Sequence, residues 1–313
     1  MNRNSEIITL LCSHLCLSEG IEPITQSEWN GISQKLEENG LQPSALAEFT
    51  RKDYETKLGY QPKDTNRLMR LLDRSGSMSF VLSRYEDMGI RIVTLADEDY
   101  PERLKLKLGK CPPLFYYVGQ LSLLKKEAVG FVGSRNADQE DFNFTDRMVS
   151  ATASHGYAVV SGGARGVDSI AALAAMKYGV PAIEFLGDSM IRKSQKATLM
   201  KEIRNGHVLL MSVAVPDAGF NVGFSMMRNH YIYAHSIGTV VVRCDTVDKG
   251  GTWTGAKDNL KENWCNTFCR DCNYRGNIAL IQAGAIPIDE NWDGDVSKGQ
   301  KIPQLGLFDS CEN

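Results

Sequence analysis

Ala158-Val159-Val160-Ser161-Gly162-Gly163-Ala164-Arg165-Gly166-Val167-Asp168 is the stretch from which the fold is read. Its first residues are small and β-branched, as in a strand covered on both faces. Three glycines then break the run, and a helical pattern follows over residues 167–178. A strand that turns through glycine into a helix is one half of a βαβ unit.

The same alternation extends in both directions. Apolar strand patterns stand at 128–132, 158–161, 182–186, 208–212, 239–242 and 267–269. Helical patterns lie between and after them at about 142–155, 167–178, 195–204, 223–236, 254–263 and 277–283. This is an α/β arrangement, an extended Rossmann-like, doubly wound parallel sheet. Upstream, a helix at 80–88 ends at Gly89. A strand at 90–95, a helix opened by Tyr100-Pro101 and an apolar strand within 112–119 follow. Residues 1–79 carry no strand pattern; short helices at 7–17, 27–39, 44–49 and 64–73, punctuated by Gly40, Gly59 and Gly76, predict a small N-terminal helical domain. The expected division is 1–79 helical, 80–288 Rossmann-like, and 289–313 a flexible tail rich in Asp, Gly, Ser and Lys.

Composition narrows the function classes. The 313 residues include 35 Lys and Arg against 38 Asp and Glu, a net charge of −3, so a nucleic-acid site has to be local rather than spread over the whole surface. No apolar run reaches membrane-spanning length and no signal peptide is recognisable at Met1, so the expected compartment is the cytoplasm, with no membrane partner. The eight cysteines are scattered, and Cys265, Cys269 and Cys272 lack a second CxxC pair, with Cys269 inside an expected strand. No metal site and no cofactor are therefore expected.

Three strand ends carry the chemistry. They are Gly133-Ser134-Arg135; Ser161, Gly162, Gly163, Ala164, Arg165, Gly166 and Asp168; and Lys249-Gly250-Gly251-Thr252, which runs on through Trp253 to Ala256. In an open parallel sheet, ligands sit beyond the carboxyl ends of the strands, where helix N-termini present unpaired amides. Glycines let backbone approach an oxyanion closely, and Arg, Ser and Lys add donors. Three such loops on one edge point to a phosphate-bearing ligand. A nicotinamide dinucleotide fits poorly: Gly133-Ser-Arg is not GxGxxG, and Ser161-Gly-Gly stands where a ribose-binding acid belongs. None of the five histidines lies in a nucleophile or metal motif. Trp253 has two readings, a base-stacking ring or a plug between helix and core. Tyr231 and Tyr233, at helical spacing, read as packing or dimer surface.

In this order, Tyr100-Pro101-x-x-Leu104, Pro113-Leu114-Phe115-Tyr116 with Gly119, Val132-Gly133-Ser134-Arg135, Ser161 to Asp168, and Arg228-Asn229 resemble the DprA/Smf family of DNA-processing proteins. The resemblance covers about 90–285. It implies a Rossmann-like domain, frequent homodimers, binding of single-stranded DNA and handover of that strand to the RecA recombinase. Arg135 would contact phosphate, the loop at 161–168 would line the same pocket, and Arg228 and Asn229 match the family's Arg-Asn element. Lys249-Gly-Gly-Thr-Trp-Thr-Gly-Ala departs from the Ser-Gly-Ser-x-x-Thr-Ala segment usual in the family. It points towards a divergent branch of the superfamily shared with LOG-type nucleotide hydrolases, for instance a DprA-like antitoxin paired with an anti-phage toxin.

The expected function is non-catalytic binding of single-stranded DNA or another nucleic acid, in DNA processing, recombination or phage defence. The alternative is a LOG-like nucleotide hydrolase or nucleotide-signal sensor, against which stands the absence of the helix-borne Glu of those enzymes; Asp258 is the nearest acid, at the wrong spacing. In the tail, Gln304, Leu305, Leu307 and Phe308 resemble the short peptide by which bacterial DNA-metabolism proteins dock on the sliding clamp. Folding back of these residues onto the protein's own sheet or a dimer mate is the competing reading.

Overall fold

The computed structural model describes residues 1–299. Gln304, Leu305, Leu307 and Phe308 lie outside them.

Nine strands form one sheet among the described residues: β1 (Arg91–Thr94), β2 (Leu114–Val118), β3 (Ala128–Val132), β4 (Ala158–Ser161), β5 (Ala182–Leu186), β6 (Val208–Ser212), β7 (Gly238–Val241), β8 (Asn266–Arg270) and β9 (Ile286–Ile288). Their spatial order is β1-β2-β6-β5-β4-β3-β7-β8-β9. Every pairing among β3 to β9 is parallel, whereas β2 runs antiparallel to β6 and β1 antiparallel to β2. The chain steps outward from β3 to β6, then crosses back to place β7 on the other side of β3. The topological switch therefore falls between β3 and β7. Strands β3 to β7 are buried along their whole length, which explains their unbroken apolar runs.

The helices are α1 (Arg3–Cys12), α2 (Gln26–Glu38), α3 (Arg51–Leu58), α4 (Pro62–Leu72), α5 (Ser75–Asp87), α6 (Glu102–Lys107), α7 (Gln139–Ser154), α8 (Val167–Lys177), α9 (Met190–Ser194), α10 (Ala197–Arg204), α11 (Val222–His235), α12 (Gly251–Glu262) and α13 (Arg275–Gln282). Helix α1 starts and stops earlier than 7–17, because the Asn2 side chain caps its first turn and Ser13 turns extended. Helix α3 escapes the apolar pattern: only Tyr54 and Leu58 are buried, and its start is set instead by a capping box between Thr50 and Asp53. The expected boundary at 79/80 falls inside α5, and one apolar core runs from Ile7 and Leu11 of α1 to Tyr116 and Val118 of β2. Polar contacts reinforce this seam: the Ser5 hydroxyl donates to Asp97 at 2.6 Å.

The stretch from 289, expected as a flexible extension, differs as far as it is described. The Trp292 ring lies 5.0 Å from the Phe268 ring, Val296 is buried, and His155, the C-cap of α7, bonds the Asp293 carbonyl at 3.0 Å. Two isolated apolar anchors hold it, which a composition-based reading averages away. Among the described residues no helix is long and apolar enough to cross a membrane.

Candidate nucleic-acid interface

Strand β3 ends in Gly133-Ser134-Arg135, and β4 ends in the glycine turn that leads into α8. The two loops are in direct contact, since the Val167 amide donates to the Ser134 carbonyl at 3.2 Å. Gly166 makes this possible. It has a φ of +79°, and a Cβ there would lie 2.8 Å from the Arg135 Cα. Gly162 serves another purpose, because a side chain on it would occupy the space of the Arg228 guanidinium.

Arg228 enters from α11 and is 8% exposed. Its Nη1 donates to Asp168 Oδ2 at 2.8 Å, and the Ala164 amide donates to the same oxygen at 3.3 Å. This buried pair ties α11 to the start of α8. Asn229 donates from Nδ2 to the Gly251 carbonyl at 2.9 Å and so fixes the start of α12. The Arg-Asn element thus holds the second and third glycine loops in register.

Around these contacts lies a cavity of about 590 Å³ at the ends of β3 and β7, where ligands sit in open α/β sheets. Of the residues singled out by sequence, Gly133, Ser134, Arg135, Ala164, Asp168, Arg228, Asn229, Lys249, Gly250, Gly251 and Thr252 line it. Gly250 has a φ of +89° and leads into α12, whose first turn no side chain caps. The amides and dipole of that turn stand at the cavity.

Ser161, Gly162, Gly163, Arg165 and Gly166 do not line it. Ser161 is buried, and its hydroxyl has no partner among the described residues. Gly163 and Arg165 open instead on a neighbouring cavity of about 390 Å³, shared with Ala164. Arg192, Lys193 and Lys196 also line that second cavity. Lys193 is held by the buried Glu184 and donates to the Gly163 carbonyl at 2.8 Å. No periodicity or glycine signal marks these cations in the sequence.

Charge in the main cavity is uneven. Arg228 and Asp168 neutralise each other. Asp245 accepts from the Ser134 hydroxyl and from Arg243 Nε, both at 2.5 Å. Burial opposes the charge on Arg243, but Asp245 and Asp141 outweigh it and raise its pKa. Arg135 and Lys249 have no acidic partner among the described residues, and Arg135 lies with its Cζ 5.0 Å from the ring centroid of Phe220.

Sequence reasoning missed Phe220, Val222 and Ser225, which with Met226 close the rim from the loop before α11 and from the first residues of that helix. Their spacing carries no motif. Trp253 is buried in the core, as the plug reading has it, and one edge of it lines the cavity. Tyr231 and Tyr233 are core residues. His230 and Asp258 bond each other at 2.8 Å and do not line the cavity. Among the described residues no group of three or more His, Cys, Asp or Glu is arranged to hold a metal ion.

The solved structure of DNA processing protein A from Streptococcus pneumoniae superposes with a TM-score of 0.72 at 20% identity, over 91% of this chain and 94% of that one. DNA processing protein A from Helicobacter pylori, described for its single-stranded DNA binding mode, gives 0.53 at 23% identity, over 64% and 92%. By sequence, the DNA processing protein DprA of Bacillus subtilis (strain 168) is 27% identical over 216 residues, 66% of this chain and 71% of the relative. Protein Smf of Synechocystis is 26% identical over 243 residues, 72% of this chain and 57% of its own length. The family model for DNA recombination-mediator protein A matches residues 91–294, a span that takes in all nine strands of the sheet, and on that match the chain belongs to the DprA/Smf family.

Proposed function

We propose that this protein binds single-stranded DNA through phosphate contacts in the cavity at the β3/β7 switch and performs no chemistry on it. The observation that carries this reading is the pair of cations without acidic partners among the described residues, Arg135 and Lys249, set beside glycine loops and the uncapped start of α12. Backbone amides and such cations address phosphate oxygens and leave base identity unread. The acids at the cavity are already engaged, Asp168 by Arg228 and Asp245 by Ser134 and Arg243, which supports binding over catalysis.

From the main cavity the strand passes towards β4 and β5, where Arg165 and Lys196 make no ion pair among the described residues, beside Arg192 and Lys193, which Asp188 and Glu184 engage. In the opposite direction, beyond β7, Arg243 and Arg270 are taken up by Asp138, Asp141 and Asp245 and offer no free donor to a phosphate. The family's description as a recombination mediator, and the strand-binding mode named for the Helicobacter pylori relative, support a role in which the strand is held for a recombinase.

The test is retention of a labelled oligothymidylate across a salt series. Wild type binds single strands of any sequence, with affinity falling as salt rises. Arg135→Ala weakens every sequence alike and flattens the slope of log affinity against log salt by about 1. Unchanged affinity in a folded Arg135→Ala protein refutes the assignment. A cavity of about 590 Å³ also suits one small nucleotide, which is the second reading. Tight binding of a mononucleotide that excludes the oligomer decides for it.

A further inference from the structure

The peptide group between Gly163 and Ala164 stands where the two cavities meet, since Gly163 lines the second and Ala164 lines both. Two largely buried ion pairs end on it. Its carbonyl accepts from Lys193 Nζ at 2.8 Å, and Lys193 of α9 is paired with Glu184 of β5. Its amide donates to Asp168 Oδ2 at 3.3 Å, and the same oxygen takes Arg228 Nη1 at 2.8 Å. The cation of one pair meets the peptide oxygen and the anion of the other meets the N–H, so both pairs favour one orientation of the peptide dipole. Gly163 has a φ of +68°, and a Cβ on it would lie 2.5 Å from Glu184 Oε2 and from Leu186 Cδ2. A side chain there would keep the Glu184–Lys193 pair from closing on the backbone. Glu184 is 1% exposed, in a strand whose other residues are all apolar. An ion pair so placed adds little net stability over an apolar pair of the same size.

We propose that Glu184 and Lys193 are positioning residues for strand binding: with Asp168 and Arg228 they clamp the Gly163–Ala164 peptide in one orientation and so fix the loop that presents Arg165. The proposal rests on the reading of the cavities as a path for a single-stranded backbone. It assigns Lys193 no phosphate of its own, because Glu184 already neutralises the ammonium. While the clamp holds, the peptide oxygen is kept against a cation. Once released, the peptide can turn that oxygen into the path, where it faces phosphate acceptor to acceptor, and Arg165 loses its fixed base. Loss of a hydrogen bond to a charged group at such a point is worth about tenfold in affinity.

The experiment replaces both residues at once, which leaves the net charge of the cavity unchanged. Glu184→Leu with Lys193→Met removes the clamp, and Glu184→Gln with Lys193→Gln leaves a neutral donor for the Gly163 carbonyl. Each protein is assayed for oligothymidylate affinity across a salt series and, without the strand, for hydrogen exchange of the Ala164 amide. Thermal melts verify folding; Glu184→Met with Lys193→Leu carries the comparison if the first apolar pair melts early. The expected result is that the apolar pair melts near wild type, exchanges the Ala164 amide faster and binds about tenfold more weakly with an unchanged salt slope, while the Gln pair keeps both protection and affinity. A slope flatter by about 1 in the apolar pair makes Lys193 a phosphate contact and overturns the proposal. So does an affinity or an Ala164 exchange rate that stays as in wild type, and so does an equal loss in the Gln pair. All of these leave strand binding by wild type standing. Failure of wild type to bind the oligomer overturns that reading and this one together.

Discussion

Two groups of cationic side chains stand side by side at the carboxyl edge of the sheet and are held in opposite ways. Beyond β7, Arg243 is shared among Asp138, Asp141 and Asp245, and Arg270 bonds Asp141 at 2.9 Å. Asp141 is fully buried and also closes the capping box of α7. At the cavity, Arg135 after β3 and Lys249 before α12 make no ion pair among the described residues, and Arg165 bonds the Asn136 side chain at 2.8 Å. Cations are about as plentiful in one place as in the other, so their number does not make the anion site. Which cations the acids engage makes it: a guanidinium saturated by carboxylates is a strut, and one without them is a donor in waiting.

The contrast is tested most severely by removing the acid at its structural pole. Asp141→Ala strands Arg243 and Arg270 against the core and uncaps α7, and the expected cost is about 3–5 kcal/mol in denaturant unfolding. The variant that remains folded keeps its affinity for oligothymidylate. A loss below about 1 kcal/mol would show that the cluster is not a strut.

A smaller effect separates core from edge by pH. His235 is fully buried at the end of α11, and burial, followed by the charges of Arg103 and Lys107, lowers its pKa from 6.5 to about 3. Neither ring nitrogen has a partner among the described residues. Because the folded value is depressed, the unfolded chain binds the proton first. Stability from this residue is therefore complete above pH 6.5 and declines as pH falls towards 3. At about pH 5 the expected loss is about 2 kcal/mol relative to about pH 7. Unfolding curves at the two pH values measure it, and in His235→Phe the part of the difference due to this residue disappears. An equal pH difference in both proteins refutes it.

The smallest stability change probes the open pole. Lys249→Ala removes an exposed cation with no ion pair to lose, so the unfolding free energy shifts by less than about 0.5 kcal/mol. Oligothymidylate binding weakens, with a salt slope flatter by about 1. A marked loss of stability would mean that Lys249 is a strut as well.

How far sequence reading reaches is seen best in the second glycine loop. Residues 158–168 announce a strand, a turn and a helix, and the structure has all three. Yet the loop divides its residues between two cavities: Asp168 faces the main one, Gly163 and Arg165 the other, and Ala164 both. That division depends on Arg228, which lies 60 residues beyond Asp168 along the chain and packs against Gly162. Conversely, α3 escapes the apolar pattern because a helix with two buried residues has little periodicity to show, and its signal lies in the Thr50–Asp53 capping box.

The order of strands and helices, the class of sheet and the glycine loops at its edge are all written in the chain, because they follow from local patterns of apolarity, backbone freedom and capping within a few residues. Which charges remain available is settled in three dimensions. Arg228 stands within a helix and Arg135 follows a glycine loop, but neither position says which of the two an acid engages. One meets Asp168 in the core and is spent there; the other meets the ring of Phe220 at the rim and stays open to a ligand. Electrostatic pairing acts through space over a few ångströms, and chain distance carries no record of it.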